Sequence, residues 1–302
     1  MQKERAAPWQ RQLPLHLMLV PAIIILLIFS YGPMFGMIMA FQDFNIGRGF
    51  LGSRWVGLDN FRFALQIPGV GQVLFNTIFI AVMKIIARLI VPIIIALLLN
   101  EIRKQFFKRT IQTVIYLPHF LSWVVLAGIF VDILSPSDGM VNRFIMFLGF
   151  EPVFFLGNEV IFPYVLVATE LWKDAGFATI IYLAALTNID PTLYEAAAMD
   201  RANRWQQTWH VTLPGMLPII VLMGVLALGN VLNAGFDQVF NLYNPMVMRT
   251  GDILDTLVFR MGLIQFQYSL AAAVGVFRSV VSLVLIVVSY SLAYKFAGYR
   301  IF

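Results

Sequence analysis

The most informative stretch of this chain is short and polar, and it reads Tyr194-Glu195-Ala196-Ala197-Ala198-Met199-Asp200-Arg201-Ala202, followed by His210-Val211-Thr212-Leu213-Pro214. It lies between two long apolar stretches. Asp190-Pro191 precedes it, and aspartate at an N-cap with proline at the first helical position predicts a helix start there. Asn203 is placed to cap a second short helix, which carries Trp205 and Trp209 on one face. The sequence thus predicts two short helices between two apolar spans.

The composition of the chain indicates an integral membrane protein. Hydrophobic residues make up 60% of its 302 residues and charged residues 12%, whereas a soluble domain has about a quarter charged residues. In a membrane protein, the net charge of +5 is typical of Lys and Arg on cytoplasmic loops, and we expect no nucleic-acid partner. The chain has no cysteine, which excludes disulfides, thiolate metal sites and cysteine nucleophiles.

A membrane-spanning helix needs about 20 mostly apolar residues, and about six stretches meet this criterion. They are residues 15–41, 72–100, 111–134, 161–186, 217–240 and 270–296. The first is longer than a signal-peptide core and no small-x-small cleavage site follows it, so we expect an uncleaved span. The predicted fold class is all-α and polytopic, with one transmembrane domain over 15–302, an N-terminal segment at 1–14 and connecting loops at 42–71 and 187–216.

The orientation follows from Lys and Arg residues, which form short, dense groups at both ends and in alternate loops. These are Lys3, Arg5, Arg11, Arg103, Lys104, Lys108, Arg109, Arg201, Arg204, Lys295 and Arg300. In the opposite loops, arginines are spread over longer segments. Because the dense set marks the cytoplasmic side, both termini and loop 187–216 are predicted to be cytoplasmic, and loop 42–71 is predicted to lie outside.

An ordinary amphipathic loop lying on the bilayer is one interpretation of loop 187–216. The full pattern of the loop, however, is more specific than an alanine-rich helix alone. In this pattern the chain resembles the membrane subunits of type I ABC importers, in the branch that takes up oligosaccharides and polysaccharides. Further segments extend the resemblance over nearly the whole chain: Tyr31-Gly32-Pro33-Met34, Trp55-Val56-Gly57-Leu58-Asp59-Asn60-Phe61, Tyr116-Leu117-Pro118-His119-Phe120, Ile181-Tyr182-Leu183-Ala184-Ala185-Leu186 and Asn241-Leu242-Tyr243-Asn244-Pro245. Within that branch it looks most like importers of alginate, an acidic polysaccharide.

The resemblance implies a role for the loop and a set of partners. The loop is expected to contact a cleft on a separate ATPase through Glu195, Ala196, Ala197, Asp200, Arg201, Leu213 and Pro214. The expected complex contains a second permease subunit of a different chain, two ATPase subunits and an external solute-binding protein, in the lipid of a bacterial inner membrane. ATP and Mg are expected on the ATPase subunits, and no cofactor or metal is expected on this chain.

Arg201 departs from the family pattern, in which glycine usually follows the aspartate. Glycine adopts a positive φ at no steric cost, whereas arginine does not. The geometry of the turn between the two short helices therefore stays open. Two interpretations of Arg201 remain: it pairs with an acidic group on the ATPase, or it is a solvated side chain on a tolerated turn.

Ionisable residues inside the predicted spans need a partner or water, because a lone charge at the bilayer centre costs about 2.5–3.5 kcal/mol. The residues predicted to line a polar solute path are Asn230, Asn233, Asp237, Lys84, Arg88, Lys173 and Arg278. The first three form a polar stripe in the predicted fifth span, and Lys84 and Arg88 share a face of the second. Asparagine suits a sugar, and the basic groups also suit an acidic sugar such as a uronate.

Pairing between helices is the alternative to a path role for these charges. Lys173 with Asp237 and Arg278 with Glu170 are examples of such pairs, and for Lys173 and Arg278 we favour the pairing interpretation. For Asn230 and Asn233 we favour the path, although small polar residues also hold membrane helices together.

Other classes of function find little support in the sequence. The chain has no Gly-x-x-x-x-Gly-Lys-Ser/Thr phosphate loop and no His-Glu-x-x-His motif, and its three histidines are widely separated. We therefore predict a permease with no catalytic residues rather than an enzyme. The alternative is a secondary transporter or channel subunit, but neither matching broken repeats nor a repeated filter motif is evident.

Overall fold

The computed structural model describes residues 9–229 and 231–297, and this part of the chain is mostly helical. Its α-helices are α1 Trp9–Leu26, α2 Gly32–Met34, α3 Gly49–Gly52, α4 Asp59–Gln66, α5 Val70–Glu101, α6 Gln105–Tyr116, α7 Trp123–Ile133, α8 Met140–Phe147, α9 Phe162–Thr187, α10 Pro191–Met199, α11 Arg204–Gln207, α12 Leu213–Gly229, α13 Phe236–Leu242, α14 Met248–Gly251, α15 Leu254–Phe259 and α16 Tyr268–Ala297. Two short strands, β1 Gln42–Asp43 and β2 Arg54–Trp55, pair antiparallel with Gln42 opposite Trp55.

Short 3₁₀ and π segments join or extend several of these helices. They are the π segments Leu27–Tyr31, Thr208–Thr212 and Arg260–Ile264 and the 3₁₀ segments Phe35–Phe41, Leu117–Phe120 and Pro245–Val247. The π segment Leu27–Tyr31, helix α2 and the 3₁₀ segment Phe35–Phe41 follow α1 directly. Residues Leu15–Phe41 therefore form one apolar helical stretch, as the sequence predicts.

The chain forms two compact units, residues 1–66 with 261–276 and residues 67–260 with 277–302. In the first unit, the buried Asn60 amide donates to the carbonyl oxygens of Ala40 at 3.0 Å and Gln42 at 2.9 Å, which ties α4 to the β1–β2 hairpin. The side chains along Leu15–Phe41 are mostly exposed within the chain. An apolar surface of this size is matched to lipid or to another protein rather than to water.

Four helical stretches of the described residues are long and apolar enough to cross a membrane: Leu15–Phe41, Val70–Glu101, Arg204–Gly229 and Tyr268–Val288. A fifth results if the bent pair Gln105–Phe120 and Trp123–Ile133 counts as one span. By length and apolar composition, the described residues thus contain four or five candidate spans and not the six that the sequence predicts. Helix α9 has 26 residues, which corresponds to about 39 Å and is long enough to span, but it carries Glu170, Lys173 and Asp174.

The third predicted span, 111–134, is wrong as a single straight helix. Helix α6 passes into the 3₁₀ segment Leu117–Phe120, and α7 leaves at 107° to it. Pro118 has no amide N–H to continue the hydrogen-bond ladder. Ser122 then begins α7 as its N-cap, because its side chain accepts from the Val125 N–H at 3.4 Å.

The fifth predicted span, 217–240, is also wrong in its bounds. Helix α12 starts at Leu213 and ends at Gly229, residues 231–235 are not helical, and α13 begins at Phe236. Gly235, the residue before α13, has φ +90°, a left-handed conformation that a side chain disfavours. A Cβ at this position would also lie 3.0 Å from Lys84 Nζ and 3.2 Å from Glu170 Oε2.

Helix α5 packs along α9, and this pair forms the centre of the second unit. Near one end, buried Ile80, Phe162 and Leu166 contact residues of the 231–253 region. Near the other end, Ala96 and Tyr182 pack with Met216 of α12. The α5–α9 pair thus positions both the polar side chains in its middle and the segment that follows α9.

Substituting Gly176 with alanine is expected to destabilise the protein, because the new Cβ would overlap the backbone carbonyl of Ile115 where α6 crosses α9. Overpacking of this kind costs about 1–3 kcal/mol, and thermal unfolding of the purified protein measures it. Gly128→Ala is the matched control, since a Cβ on α7 meets no atom within 4 Å. Equal unfolding temperatures for the two variants would contradict a close α6–α9 contact.

Candidate solute path and coupling segment

The polar stretch after α9 folds into the two short helices that the sequence predicts. Asp190 begins α10 as its N-cap, and its carboxylate accepts from the Thr192 N–H at 2.9 Å. This backbone hydrogen bond lowers the pKa of Asp190 below its usual value. The cap therefore contributes stability above the ordinary aspartate pKa, and the contribution is lost as the pH falls through the lowered value. Glu195, Ala196 and Ala197 lie on α10, and Asp200 is its C-cap.

The turn after α10 retains the geometry that glycine would favour, although arginine occupies it. Arg201 has φ +57°. Its N–H donates to the Ala198 carbonyl at 3.0 Å, and the Ala202 N–H donates to the Ala197 carbonyl at 2.9 Å. This pair of hydrogen bonds is the Schellman motif, in which the residue after the C-cap is left-handed. The departure from the family pattern thus leaves the turn in place, at the cost of a strained arginine.

Arg201→Gly is expected to stabilise the protein by about 0.5–1 kcal/mol, because the left-handed conformation costs a non-glycine residue about 1–2 kcal/mol and glycine loses more chain entropy on folding. Thermal unfolding measures the change. Arg201→Ala removes the guanidinium but keeps the strain, so it should give no such gain. Equal stability of the two variants would contradict the conformational explanation, and unchanged transport-coupled ATP hydrolysis in both would argue against pairing with the ATPase.

The second short helix leads directly into the next apolar span. Asn203 and Gln206 form a reciprocal capping box at the start of α11, with hydrogen bonds of 2.8 and 2.9 Å. Trp205 and Trp209 follow with ring centroids 5.8 Å apart, and Leu213-Pro214 begins α12. The Tyr194 hydroxyl lies 3.0 Å from Thr212 Oγ1. This contact connects α10 to the residue that immediately precedes α12.

A buried polar network lies in the middle of the α5–α9 pair. Lys84 is 4% exposed, and its Nζ donates to Glu170 Oε2 at 2.6 Å, to the Ala234 carbonyl at 2.6 Å and to Gln238 Oε1. The Gln238 amide nitrogen donates in turn to the Leu166 carbonyl and Thr169 Oγ1, both at 2.7 Å. Lys84 therefore joins α5, α9 and the 231–242 region at one point.

The same network continues toward the bend between α6 and α7. Arg88 lies 3.4 Å from Glu170 and 3.7 Å from Asp174. Asp174 is 2.9 Å from His119 Nδ1, and Lys173 Nζ donates to the His119 carbonyl at 2.5 Å. The two partly buried acids thus carry basic partners, as charges withdrawn from water require.

A cavity of about 380 Å³ opens beside this network. Its lining includes Trp123, Glu170, Asn233, Asp237 and Gln238, together with the ion pair Asp255–Arg278. Asp255 Oδ2 is buried with no hydrogen-bond partner among the described residues. An indole ring, an amide and a guanidinium around one cavity can contact the ring face, a hydroxyl and a carboxylate of a sugar.

The structure brings only some of the predicted path residues together. Lys84, Arg88 and Lys173 belong to the buried network, whereas Asn233, Asp237 and Arg278 line the cavity. Asn233 and Asp237 do not form a stripe on one helix, because Asn233 precedes the Gly235 break. Asn230 lies outside the described residues.

The two ion pairs given as examples from the sequence are not the ones that form. Lys173 contacts the His119 carbonyl and lies 3.9 Å from Asp174, and Arg278 pairs with Asp255. Sequence reasoning missed three contributors to this region: Trp123, Gln238 and Asp255. Gln238 fell inside a predicted span and Asp255 in a predicted outer loop, and neither showed a periodicity that could have placed it at the cavity.

No group of three or more His, Asp or Glu side chains within residues 9–229 and 231–297 is arranged to hold a metal ion. The acids of the network and the cavity include Glu170, Asp174 and Asp255, which instead contact Lys or Arg side chains. The arrangement provides a charged, partly open cavity.

Candidate membrane-spanning helices around a polar cavity, with a pair of short exposed helices between two of them, are features expected of a membrane transport subunit. Residues 88–298 match the family described as binding-protein-dependent transport system inner membrane component. The chain belongs to this family.

Curated relatives and solved structures support the same conclusion over almost the full chain. The polygalacturonan/rhamnogalacturonan transport system permease protein YteP of Bacillus subtilis (strain 168) is 43% identical, over 93% of this chain and 88% of its own length. Protein LplB of the same organism is 41% identical, over 93% and 89%. A chain of a bacterial ABC transporter involved in the import of the acidic polysaccharide alginate has a TM-score of 0.87 and 36% identity, covering 95% of this chain and 97% of its own.

The protein is therefore a permease subunit of a binding-protein-dependent ABC importer in the inner membrane. This decides against the secondary transporter or channel subunit that the sequence left as an alternative. It also agrees with the type I importer resemblance and with a role as a permease rather than an enzyme.

Proposed function

We propose that this permease imports oligosaccharides or polysaccharide fragments that carry carboxylates, as uronates do. Two kinds of relative support an acidic solute: one is named for polygalacturonan and rhamnogalacturonan, and the other takes part in the import of alginate. Both kinds of polymer contain sugar acids. A related structure also holds a periplasmic protein bound to an alginate pentasaccharide.

The observation that carries the solute class is the position of Arg278 at the cavity. Its guanidinium has five N–H donors, and Asp255 accepts from one of its terminal nitrogens. The remaining donors are available to a solute carboxylate, for which bidentate arginine contacts are strong. Trp123 offers a flat apolar face beside it, and Asn233 offers an amide for hydroxyl groups. Asp255 holds Arg278 in place.

We infer that α10 and the turn after it contact the ATPase. Glu195, Ala196, Ala197 and Asp200 form the contact surface, and Leu213-Pro214 passes its displacement to α12. The exposed position of α10 and the Tyr194–Thr212 contact support this role. The complete importer has a second, different permease chain, two ATPase subunits that bind ATP and Mg, and an external solute-binding protein.

The proposed mechanism is alternating access. ATP closes the two ATPase subunits, α10 moves with them on the cytoplasmic side, and the membrane helices open outward to a docked binding protein. Hydrolysis returns the helices and releases the solute inward. Lys84, Arg88 and Lys173 serve this cycle by holding α5, α9 and the α6–α7 bend as one unit.

Arg278→Gln tests the solute class in the reconstituted importer with its binding protein. For an oligogalacturonate or oligoalginate, we expect the rate of uptake to fall about tenfold, because a charge-assisted hydrogen bond contributes about 1.5–3 kcal/mol. Arg249→Gln, an exposed arginine 4.0 Å from Glu159, is the matched control. Stimulation of ATP hydrolysis by neutral oligosaccharides but not acidic ones would contradict the proposal.

A further inference from the structure

A groove of about 1000 Å³ opens at the α12 end of α5, away from the solute cavity. One wall is the last three turns of α5, and the other is α11 with the π segment and the start of α12. Tyr194, Thr212 and Leu213 of the proposed coupling segment line one side of the groove, but its exposed α5 face and its two tryptophans have no part in the proposed solute path or ATPase contact.

Both walls of the groove are apolar at helical spacing. Ile90, Ile94 and Leu98 share one face of α5 and are 51%, 47% and 65% exposed. Trp205 and Trp209 face them from the other wall and are 69% and 53% exposed. Roughly half or more of each of these side chains is exposed within the described chain, and such a surface is matched to an apolar occupant.

The dimensions of the groove fit one leaflet of a bilayer. From Ile90 to Glu101, α5 rises by about 16 Å, and half of the hydrocarbon core is about 15 Å thick. Tryptophan is enriched where the hydrocarbon meets the headgroups, and Trp205 and Trp209 lie near the polar end of the groove. An acyl chain therefore fits its length.

The rim of the groove carries one charge of each sign. Arg204 and Glu101 both line it and both are exposed. Neither forms an ion pair within the part of the chain that the structure describes. A phosphate is complementary to Arg204, and an ammonium group is complementary to Glu101.

We propose that this groove binds one phospholipid with an amine-bearing zwitterionic headgroup, phosphatidylethanolamine. Its acyl chain lies along Ile90, Ile94 and Leu98, its phosphate contacts Arg204, and its ammonium contacts Glu101. The lipid then packs between α5 and the segment that joins α10 to α12. This assignment is independent of the solute that the importer carries.

Native mass spectrometry of the intact importer, delipidated and titrated with phosphatidylethanolamine, phosphatidylcholine or phosphatidylglycerol, tests the proposal. The wild type should bind one phosphatidylethanolamine more tightly than the other two lipids. Arg204→Gln should weaken this binding about fivefold, since one basic residue near a lipid surface contributes about 1 kcal/mol. Glu101→Gln should abolish the preference for phosphatidylethanolamine over phosphatidylcholine. Arg109→Gln, an exposed basic residue of α6, is the charge-matched control and should change neither.

Leu98→Trp provides a second variant that fills the groove and leaves both rim charges in place. It should reduce binding of all three lipids by a similar factor. Unchanged lipid binding in Arg204→Gln would overturn the proposal, as would equal affinity of the wild type for phosphatidylglycerol. A photoreactive residue at position 94 that cross-links to the second permease or the ATPase, and not to lipid, would also overturn it.

Discussion

Glu195→Lys is expected to reduce solute uptake by the reconstituted importer at least tenfold while leaving membrane insertion intact. Glu195 is exposed on α10, so the substitution removes no buried contact within the chain. On the proposed contact surface, however, it places a positive charge where the ATPase meets a negative one. Disrupting a buried, hydrogen-bonded charge contact at an interface costs about 2–5 kcal/mol. Uptake and ATP hydrolysis measured on the same vesicles give the result, and we expect hydrolysis to lose its dependence on solute.

Glu151→Lys is the matched control, because it reverses another exposed carboxylate far from α10 in sequence, in a loop predicted to lie outside. It should leave uptake within about twofold of the wild type, as most surface substitutions change stability by less than about 0.5 kcal/mol. Co-purification of the ATPase with each variant separates lost assembly from lost coupling. Normal uptake by Glu195→Lys would refute the docking role of α10.

Glu170→Leu is expected to destabilise the protein by about 3–5 kcal/mol, the usual cost of removing one partner from a buried ion pair. The Lys84 side chain is 5% exposed and lies 2.6 Å from Glu170, so the substitution leaves an ammonium group buried next to neutral acceptors. The midpoint of thermal unfolding in detergent measures the effect. The loss should appear as a lower unfolding temperature and a lower yield of folded protein.

The double variant Lys84→Met/Glu170→Leu distinguishes an unpaired charge from a simple loss of packing. It should recover most of the stability, because replacing both partners of a buried pair by apolar groups is often neutral. Glu159→Leu is the control for removing a carboxylate at the surface, since Glu159 is 42% exposed and 4.0 Å from Arg249. If the double variant is as unstable as Glu170→Leu alone, the Lys84–Glu170 pair is not the origin of the effect.

Local features were predicted well because neighbouring residues determine them. The apolar stretch 15–41, the Asp190-Pro191 helix start and the Asn203 cap depend on residues within one or two helical turns. The Arg201 turn marks the limit of that reasoning. Its backbone shape is determined by the hydrogen bonds of the helix end, which form with arginine as they do with glycine.

The helix breaks were predicted poorly, for a different reason. Membrane helices tolerate proline, as α5 does at Pro92, so Pro118 alone could not indicate a bend. The non-helical residues 231–235 include Gly235, which lies close to Lys84 and Glu170. Residues 217–240 alone could not indicate that contact, because Lys84 and Glu170 lie elsewhere in the chain.

The sequence by itself determined that this protein is a helical membrane subunit, which parts of it are apolar, and where the short helices of the coupling segment begin. Composition and short-range spacing are sufficient for these properties. Only the tertiary structure decided which charges meet, because the partners are distant along the chain: Lys84 contacts Glu170 and Gln238 at separations of 86 and 154 residues. A buried charge requires some partner, but which one depends on how the helices pack.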